Sequence, residues 1–254
     1  MKILLTGGGT GGHFYPLIAV AREIIKITRE KRIIEPKLIY ASDTPYDAKL
    51  LFQENIKFFN LPAGKMRRYF SLMNFIDPFK TLIGVIIAVF RLYFEMPDVI
   101  FSKGGYASVP ALVAAKIFKI PLVIHESDSV PGKSSMFAKN FAGRIAISFA
   151  ETAEFFQKEK VALTGNPIRR EVIGGNFYEA EDLFKLEFQS KENSESKFSP
   201  PVLLIIGGSQ GAQKINNVVL DAILDMVKEY QIIHQCGKKN FDEIKKISEM
   251  ILKD

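Results

Sequence analysis

The sequence predicts an α/β protein of two domains, each organised on a parallel sheet covered by helices. Three observations carry that reading. Short apolar runs alternate with stretches of helical periodicity. The runs are apolar on consecutive residues, as strands buried on both faces must be. A glycine-dense turn between strand and helix occurs twice, at 7–12 and at 207–212, on either side of a polar stretch.

The elements follow in order. "KILLT" reads as a buried strand and His13 to Glu30 as a helix. "KLIY" (37–40) is the next strand, followed by a helix from about Pro45 and by "KFFN" (57–60). After a basic and apolar stretch come "DVIFS" (98–102), a helix over 108–118, "PLVIH" (121–125), a helix over 134–141, "RIAIS" (144–148) and "VALTG" (161–165). Repeated strand–helix units of this kind build a parallel sheet. From Asn166 the texture changes, and "QSKENSESKFSPP" (189–201) reads as a linker. "VLLIIGGSQGAQKIN" then restarts strand, glycine turn and helix, followed by "QIIHQ" and a last helix. The expected division is a first domain over 1–165, a linker region over 166–201, and the start of a second domain over 202–254.

Composition narrows the function. The chain has 254 residues, 47% hydrophobic and 24% charged, which suits a soluble protein with a sizeable core. Its net charge of +6 fits a phosphorylated small molecule, an anionic membrane face or a nucleic acid, and location must choose among them. Cys236 is the single cysteine, and His13, His125 and His234 are scattered, so neither a disulfide framework nor metal-ligand spacing is present. Glycines interrupt the start after "ILL", before the apolar core of a secretory signal could form. "TLIGVIIAVF" (81–90) is followed at once by Arg91, and a bilayer span needs roughly 20 apolar residues. A cytoplasmic protein is expected.

Gly7, Gly9 and Gly12 satisfy G-x-G-x-x-G, which invites a dinucleotide reading. That reading also wants an acidic residue about 20 positions on, for the ribose. Asp43 is the candidate and lies too far along. A glycine turn at a helix start is more generally an anion site, because it exposes helix N–H groups and lets a ligand approach the backbone. The competing explanation is tight packing alone, and two such turns in one chain weigh against it. A nucleotide or sugar phosphate held by two Rossmann-like halves fits better.

Five stretches, "GGGTGGHFYP", "SKGGYASVPA", "PLVIHESDSVPG", "LTGNPIRREV" and "IIGGSQGAQKIN", occur in that order over about 210 residues. Together they resemble the MurG family of glycosyltransferases. The resemblance implies a GT-B fold, two Rossmann-like domains with the donor nucleotide mainly on the second and a lipid-linked acceptor on the first. It implies inverting, metal-independent and cofactor-free transfer of N-acetylglucosamine from UDP-N-acetylglucosamine to the muramoyl 4-hydroxyl of lipid I, in peptidoglycan synthesis. The protein would then sit peripherally on the cytoplasmic face of the membrane, with no nucleic acid partner. The absence of D-x-D agrees with a metal-free donor site.

Carried over motif by motif, Thr10, Gly11 and Gly12 belong beside the donor sugar and the acceptor diphosphate, and Gly8 and Gly9 on the acceptor side. His13 is the candidate base, with a pKa lowered by the helix start; a structural histidine is the alternative. Glu126 is a weaker candidate base. Asp128 stands where the family pattern H-E-Q-N has asparagine, and its carboxylate, an acceptor only, would repel a nearby phosphate. Arg169 matches the arginine near the donor diphosphate, a role suited to its bidentate fork; a solvated linker charge is the alternative, and the better reading of Arg170. Ser209 and Gln210 resemble the donor-phosphate loop, and Tyr106 an acceptor-side residue that could equally be core.

Residues 65–94 mix Lys65, Arg67, Arg68, Lys80 and Arg91 with phenylalanines and aliphatics, against one acid, Asp77. This favours a face that docks on anionic lipid over a buried helix with a basic edge. The 53 residues after Pro201 suffice for about two strand–helix units, so the chain alone is expected to hold UDP-sugar poorly. Two alternatives follow: another GT-B lipid glycosyltransferase, or a non-catalytic nucleotide- or lipid-binding module.

Overall fold

A computed structural model describes residues 1–65, 73–186, 200–208 and 211–253. The chain divides into two units, Met1–Val172 and Ile173–Asp254.

The first unit alternates β1 (Lys2–Gly7), α1 (Gly11–Glu30), β2 (Lys37–Ser42), α2 (Ala48–Gln53), β3 (Lys57–Asn60), α3 (Met73–Glu95), β4 (Val99–Gly104), α4 (Val109–Phe118), β5 (Leu122–Glu126), α5 (Lys133–Ala138), β6 (Arg144–Ile147) and β7 (Val161–Leu163). All seven strands are parallel, in the order β3-β2-β1-β4-β5-β6-β7. Strand order therefore reverses between β1 and β4, and ligands of open α/β sheets bind outside the strand ends at that reversal.

Both sheet faces are buried, which is why the strands lack alternation. Leu4 packs with Ile39, Phe59, Leu92, Ile100 and Leu112 on one side. Ile3 and Leu5 pack with Phe14, Leu17, Leu38 and Tyr40 on the other. Helix α2 starts at Ala48 because the Asp47 carboxylate accepts the Leu50 N–H, a side-chain cap that satisfies one free donor of the first turn.

Helix α3 is apolar on the wrong side for a soluble protein. Gly84, Ala88 and Leu92 face inward, and a side chain at Gly84 would collide with the Pro62 carbonyl, so glycine there sets how closely the helix docks. Outward stand Phe75, Phe79, Leu82, Ile86, Phe90 and Phe94, each more than half exposed. Among the described residues no helix is long and apolar enough to cross a membrane.

The second unit contains α6 (Phe177–Phe184), β8 (Val202–Ile206), α7 (Gln213–Met226), β9 (Gln231–Gln235) and α8 (Phe241–Ile251). Sequence reading missed α6, which falls in the polar region and is capped by Asn176 accepting from the Tyr178 and Glu179 N–H groups. Strands β8 and β9 pair in parallel. Val219, Ile223, Cys236 and Ile244 form the buried side, while Leu204 and Ile206 are exposed.

Candidate active site

The site assembles at the C-terminal ends of β1, β4 and β5. The Tyr40 hydroxyl donates to the Gly7 carbonyl (2.7 Å), and burial pushes that hydroxyl up to about 12, so it remains a donor. The glycine turn then runs where side chains do not fit. Gly9 has φ +90°, and a Cβ there would lie 2.5 Å from the Tyr106 ring; at Gly11 it would lie 2.7 Å from the Tyr46 hydroxyl. Packing and conformation thus both require these glycines, and the N-terminal end of α1 is left open. Thr10, at the helix cap, makes no capping hydrogen bond. Its Oγ1 instead lies 2.9 Å from His13 Nδ1.

His13 is half-buried, and its Nε2 faces the bare Cα of Gly105, where a Cβ would stand 3.3 Å away. Its pKa is lowered first by burial and next by the Lys103 charge, with Asp128 and Glu126 pulling the other way. Sequence reading expected the lowering and credited the helix end; the larger causes come from other elements of the fold.

Tyr106 closes the other wall. Its hydroxyl donates to Asp43 Oδ2 (2.7 Å), its ring lies under Gly9, and Lys65 Nζ stands 5.5 Å from its centroid. Burial and the Asp43 hydrogen bond raise the Tyr106 pKa, keeping the hydroxyl protonated. Asp43, set aside in sequence as too distant for a ribose, thus has a partner 63 residues away.

Glu126 is buried with both oxygens engaged. Oε1 accepts the Ser127 (2.9 Å) and Asp128 (3.1 Å) N–H groups, and Oε2 accepts that of Gly132 (3.0 Å). It is a loop staple in this arrangement. His125 Nε2 lies 2.9 Å from the Gly165 carbonyl oxygen, tying β5 to the segment after β7, and burial lowers its pKa. The Asp128 side chain is exposed beside these groups. Arg169 stacks on Tyr15 of α1, 4.1 Å from the ring centroid, whereas Arg170 pairs with Glu23 at 2.5 Å.

The structure therefore gathers Gly8, Gly9, Thr10, Gly11, Gly12, His13, Tyr106, Glu126 and Asp128 around adjoining strand ends, with Arg169 on the neighbouring face of α1. Ser209 and Gln210 lie outside the described residues. Sequence reading passed over Lys103, whose setting depends on the register of β1 against β4. No cluster of three or more metal-ligating side chains occurs among the described residues.

This architecture is the GT-B glycosyltransferase type. Acinetobacter baumannii MurG superposes with a TM-score of 0.62 at 23% identity, over 98% of this chain and 63% of that one, a likeness of fold. Residues 3–147 match the glycosyltransferase family 28 N-terminal domain and residues 202–251 its C-terminal domain. The chain belongs to glycosyltransferase family 28. Its similar relatives carry the name UDP-N-acetylglucosamine--N-acetylmuramyl-(pentapeptide) pyrophosphoryl-undecaprenol N-acetylglucosamine transferase. One from Clostridium botulinum (strain Loch Maree / Type A3) is 40% identical over 95% of this chain and 64% of its own length. One from Clostridium novyi (strain NT) is 38% identical over the same shares. The MurG resemblance of the five motifs is borne out, and the chain spans about 64% of the length of these relatives.

Proposed function

We propose that this chain supplies the acceptor-side domain and the opening of the donor domain of a transferase moving N-acetylglucosamine from UDP-N-acetylglucosamine to the muramoyl 4-hydroxyl of lipid I. The observation that carries this reading is His13, neutral at neutral pH, set beside an open helix start at the sheet's topological reversal. In the productive tautomer Nδ1–H donates to Thr10 Oγ1, leaving the Nε2 lone pair to take the hydroxyl proton as oxygen attacks the anomeric carbon. UDP leaves with the bonding electrons, and attack opposite the leaving group inverts the centre. General-base assistance of this kind contributes about 10²- to 10⁴-fold. Thr10, Gly11 and Gly12 act beside the donor sugar, Gly8, Gly9 and Tyr106 on the acceptor, and Asp128 binds a sugar hydroxyl. Arg169, with Ser209 and Gln210, meets the donor diphosphate. No metal takes part, and Glu126 fixes the loop that carries Asp128.

The outward face of α3 supports docking on the cytoplasmic face of the membrane, with Lys65, Lys80 and Arg91 adding attraction to anionic lipid. Transfer to a lipid I analogue in excess EDTA, by this chain joined to the donor domain of a Clostridium relative, tests the chemistry. Undiminished turnover is expected; turnover abolished by EDTA and restored only by Mn²⁺ or Mg²⁺ would refute the metal-free step.

A further inference from the structure

Asp43 and Tyr106 come from opposite sides of β1. In the order β3-β2-β1-β4, Asp43 follows β2 and Tyr106 follows β4, so their 2.7 Å hydrogen bond crosses the end of β1. The strands it joins stand two strand spacings apart, roughly 9.5 Å. A tyrosine and an aspartate together cross that gap, whereas two short side chains would not meet. The glycine turn lies against this bridge. A Cβ at Gly9 would stand 2.5 Å from the Tyr106 ring, and Ser42 and Ala107 close on Gly8 in the same way. Both ends of the bridge are anchored. Ser42 Oγ donates to Asp43 Oδ1 (3.3 Å), and the Asp43 carbonyl accepts from Asn60 Nδ2 (3.0 Å), which ties it to the ends of β2 and β3. Tyr106 follows Gly105 (φ +80°), whose carbonyl accepts the Ser108 hydroxyl (2.8 Å). A hydroxyl bound to a carboxylate is held more strongly than one bound to a neutral acceptor. The single phenolic proton goes to Asp43, so Tyr106 offers a substrate its ring and oxygen lone pairs but no donor.

We propose that Asp43 is a positioning residue for the transfer reaction: it holds the Tyr106 ring against Gly9 and so fixes the turn between β1 and α1 in the shape that receives the lipid-linked acceptor. The inference rests on the acceptor reading above for what the turn receives, and on the hydrogen bond for how the turn is held. Glycines leave a backbone free to take many conformations, so the shape of this turn must be imposed by its surroundings. A turn fixed before binding loses less conformational freedom when the acceptor arrives, and affinity rises for that reason.

The test compares the 254-residue chain with Asp43→Ala, Asp43→Asn, Tyr106→Phe and the double variant Asp43→Ala/Tyr106→Phe. Amide hydrogen exchange over Gly7 to His13, without ligand, reads the turn directly. Asp43→Ala should speed that exchange at least about fivefold. Asp43→Asn, whose side-chain oxygen still accepts the hydroxyl, should stay within about twofold of wild type. In the Tyr106→Phe background Asp43→Ala should add less than about twofold, because its partner is already gone. Calorimetry with a short-chain lipid I analogue, at a temperature where every variant is folded, should show about tenfold weaker binding by Asp43→Ala, largely recovered by Asp43→Asn. A merely structural aspartate would lower the melting temperature and leave exchange and binding at wild-type values in the folded protein. Unchanged exchange, an equal effect with and without the Tyr106 hydroxyl, or no recovery by Asp43→Asn would each overturn the assignment. Exchange that responds as stated in a wild type unable to bind the analogue would support the bridge and refute the acceptor reading.

Discussion

Replacing Phe79 and Phe90 on α3 by glutamine should release the protein from anionic bilayers without unfolding it. The two rings are 70% and 66% exposed, so their removal takes little from the folded state. Full burial of a phenylalanine contributes about 2 kcal/mol. Scaled by the exposed fractions, transfer into the interface adds about 1.4 and about 1.3 kcal/mol. Their joint loss corresponds to roughly 100-fold weaker partitioning. The assay is sedimentation with phosphatidylglycerol vesicles at fixed salt, beside a thermal melt of the same samples. Leu92→Ala, on the inward face and fully buried, serves as the opposite case, costing about 2–5 kcal/mol of stability. Partitioning of the double variant within about twofold of wild type would refute the docking face. So would a melting temperature that falls as far as that of Leu92→Ala.

Four further outcomes follow from the same structure. Reversing Arg67 and Arg68 to glutamate, at positions outside the described residues, should cut anionic vesicle binding at least about tenfold, since each basic residue near such a surface contributes roughly 1 kcal/mol; equal binding to neutral and anionic vesicles would contradict it. Gly84→Ala should lower stability by about 1–3 kcal/mol in urea unfolding, because the added methyl meets the Pro62 carbonyl and backbone cannot yield cheaply. His13, His125 and His234 all have lowered pKa values and fold as neutral imidazoles, while the unfolded chain takes up protons below about pH 6.5. Stability should therefore hold above that pH and fall as pH drops through it, as urea midpoints at pH 8 and pH 5.5 would read. The 254-residue chain tested alone should bind UDP-N-acetylglucosamine weakly, because among the described residues the second sheet has two strands, β8 and β9; micromolar affinity by calorimetry would contradict that.

Much of the architecture was legible because buried parallel strands announce themselves by unbroken apolar runs such as "ILL" and "DVIF". The glycine turn was legible as a close approach, although the rings it approaches, Tyr106 and Tyr46, come from other turns and could not be read locally. Lys103 was not legible as a site residue, since its aim depends on a register slip between β1 and β4 that only pairing reveals. Asp43 was judged by its distance along the chain from the glycines, yet its partner depends on β2 and β4 ending on the same edge. Glu126 looked like a candidate base by residue type; the three backbone donors that occupy its oxygens come from the following loop and could not be read from the sequence. Helix α6 was hidden because a polar segment has weak periodicity, and its one clear signal was Asn176 as a cap.

The central claim, that His13 takes the acceptor proton, is tested most directly by transfer of labelled N-acetylglucosamine to a lipid I analogue. The protein to use is this chain joined to the C-terminal donor domain of a Clostridium relative, as wild type and as His13→Ala. The account predicts a kcat lower by about 10²- to 10⁴-fold with donor KM little changed. It also predicts that the acid limb of the wild-type pH profile falls below the ordinary histidine value, in keeping with a pKa lowered by burial and Lys103. An unchanged kcat in His13→Ala would contradict it.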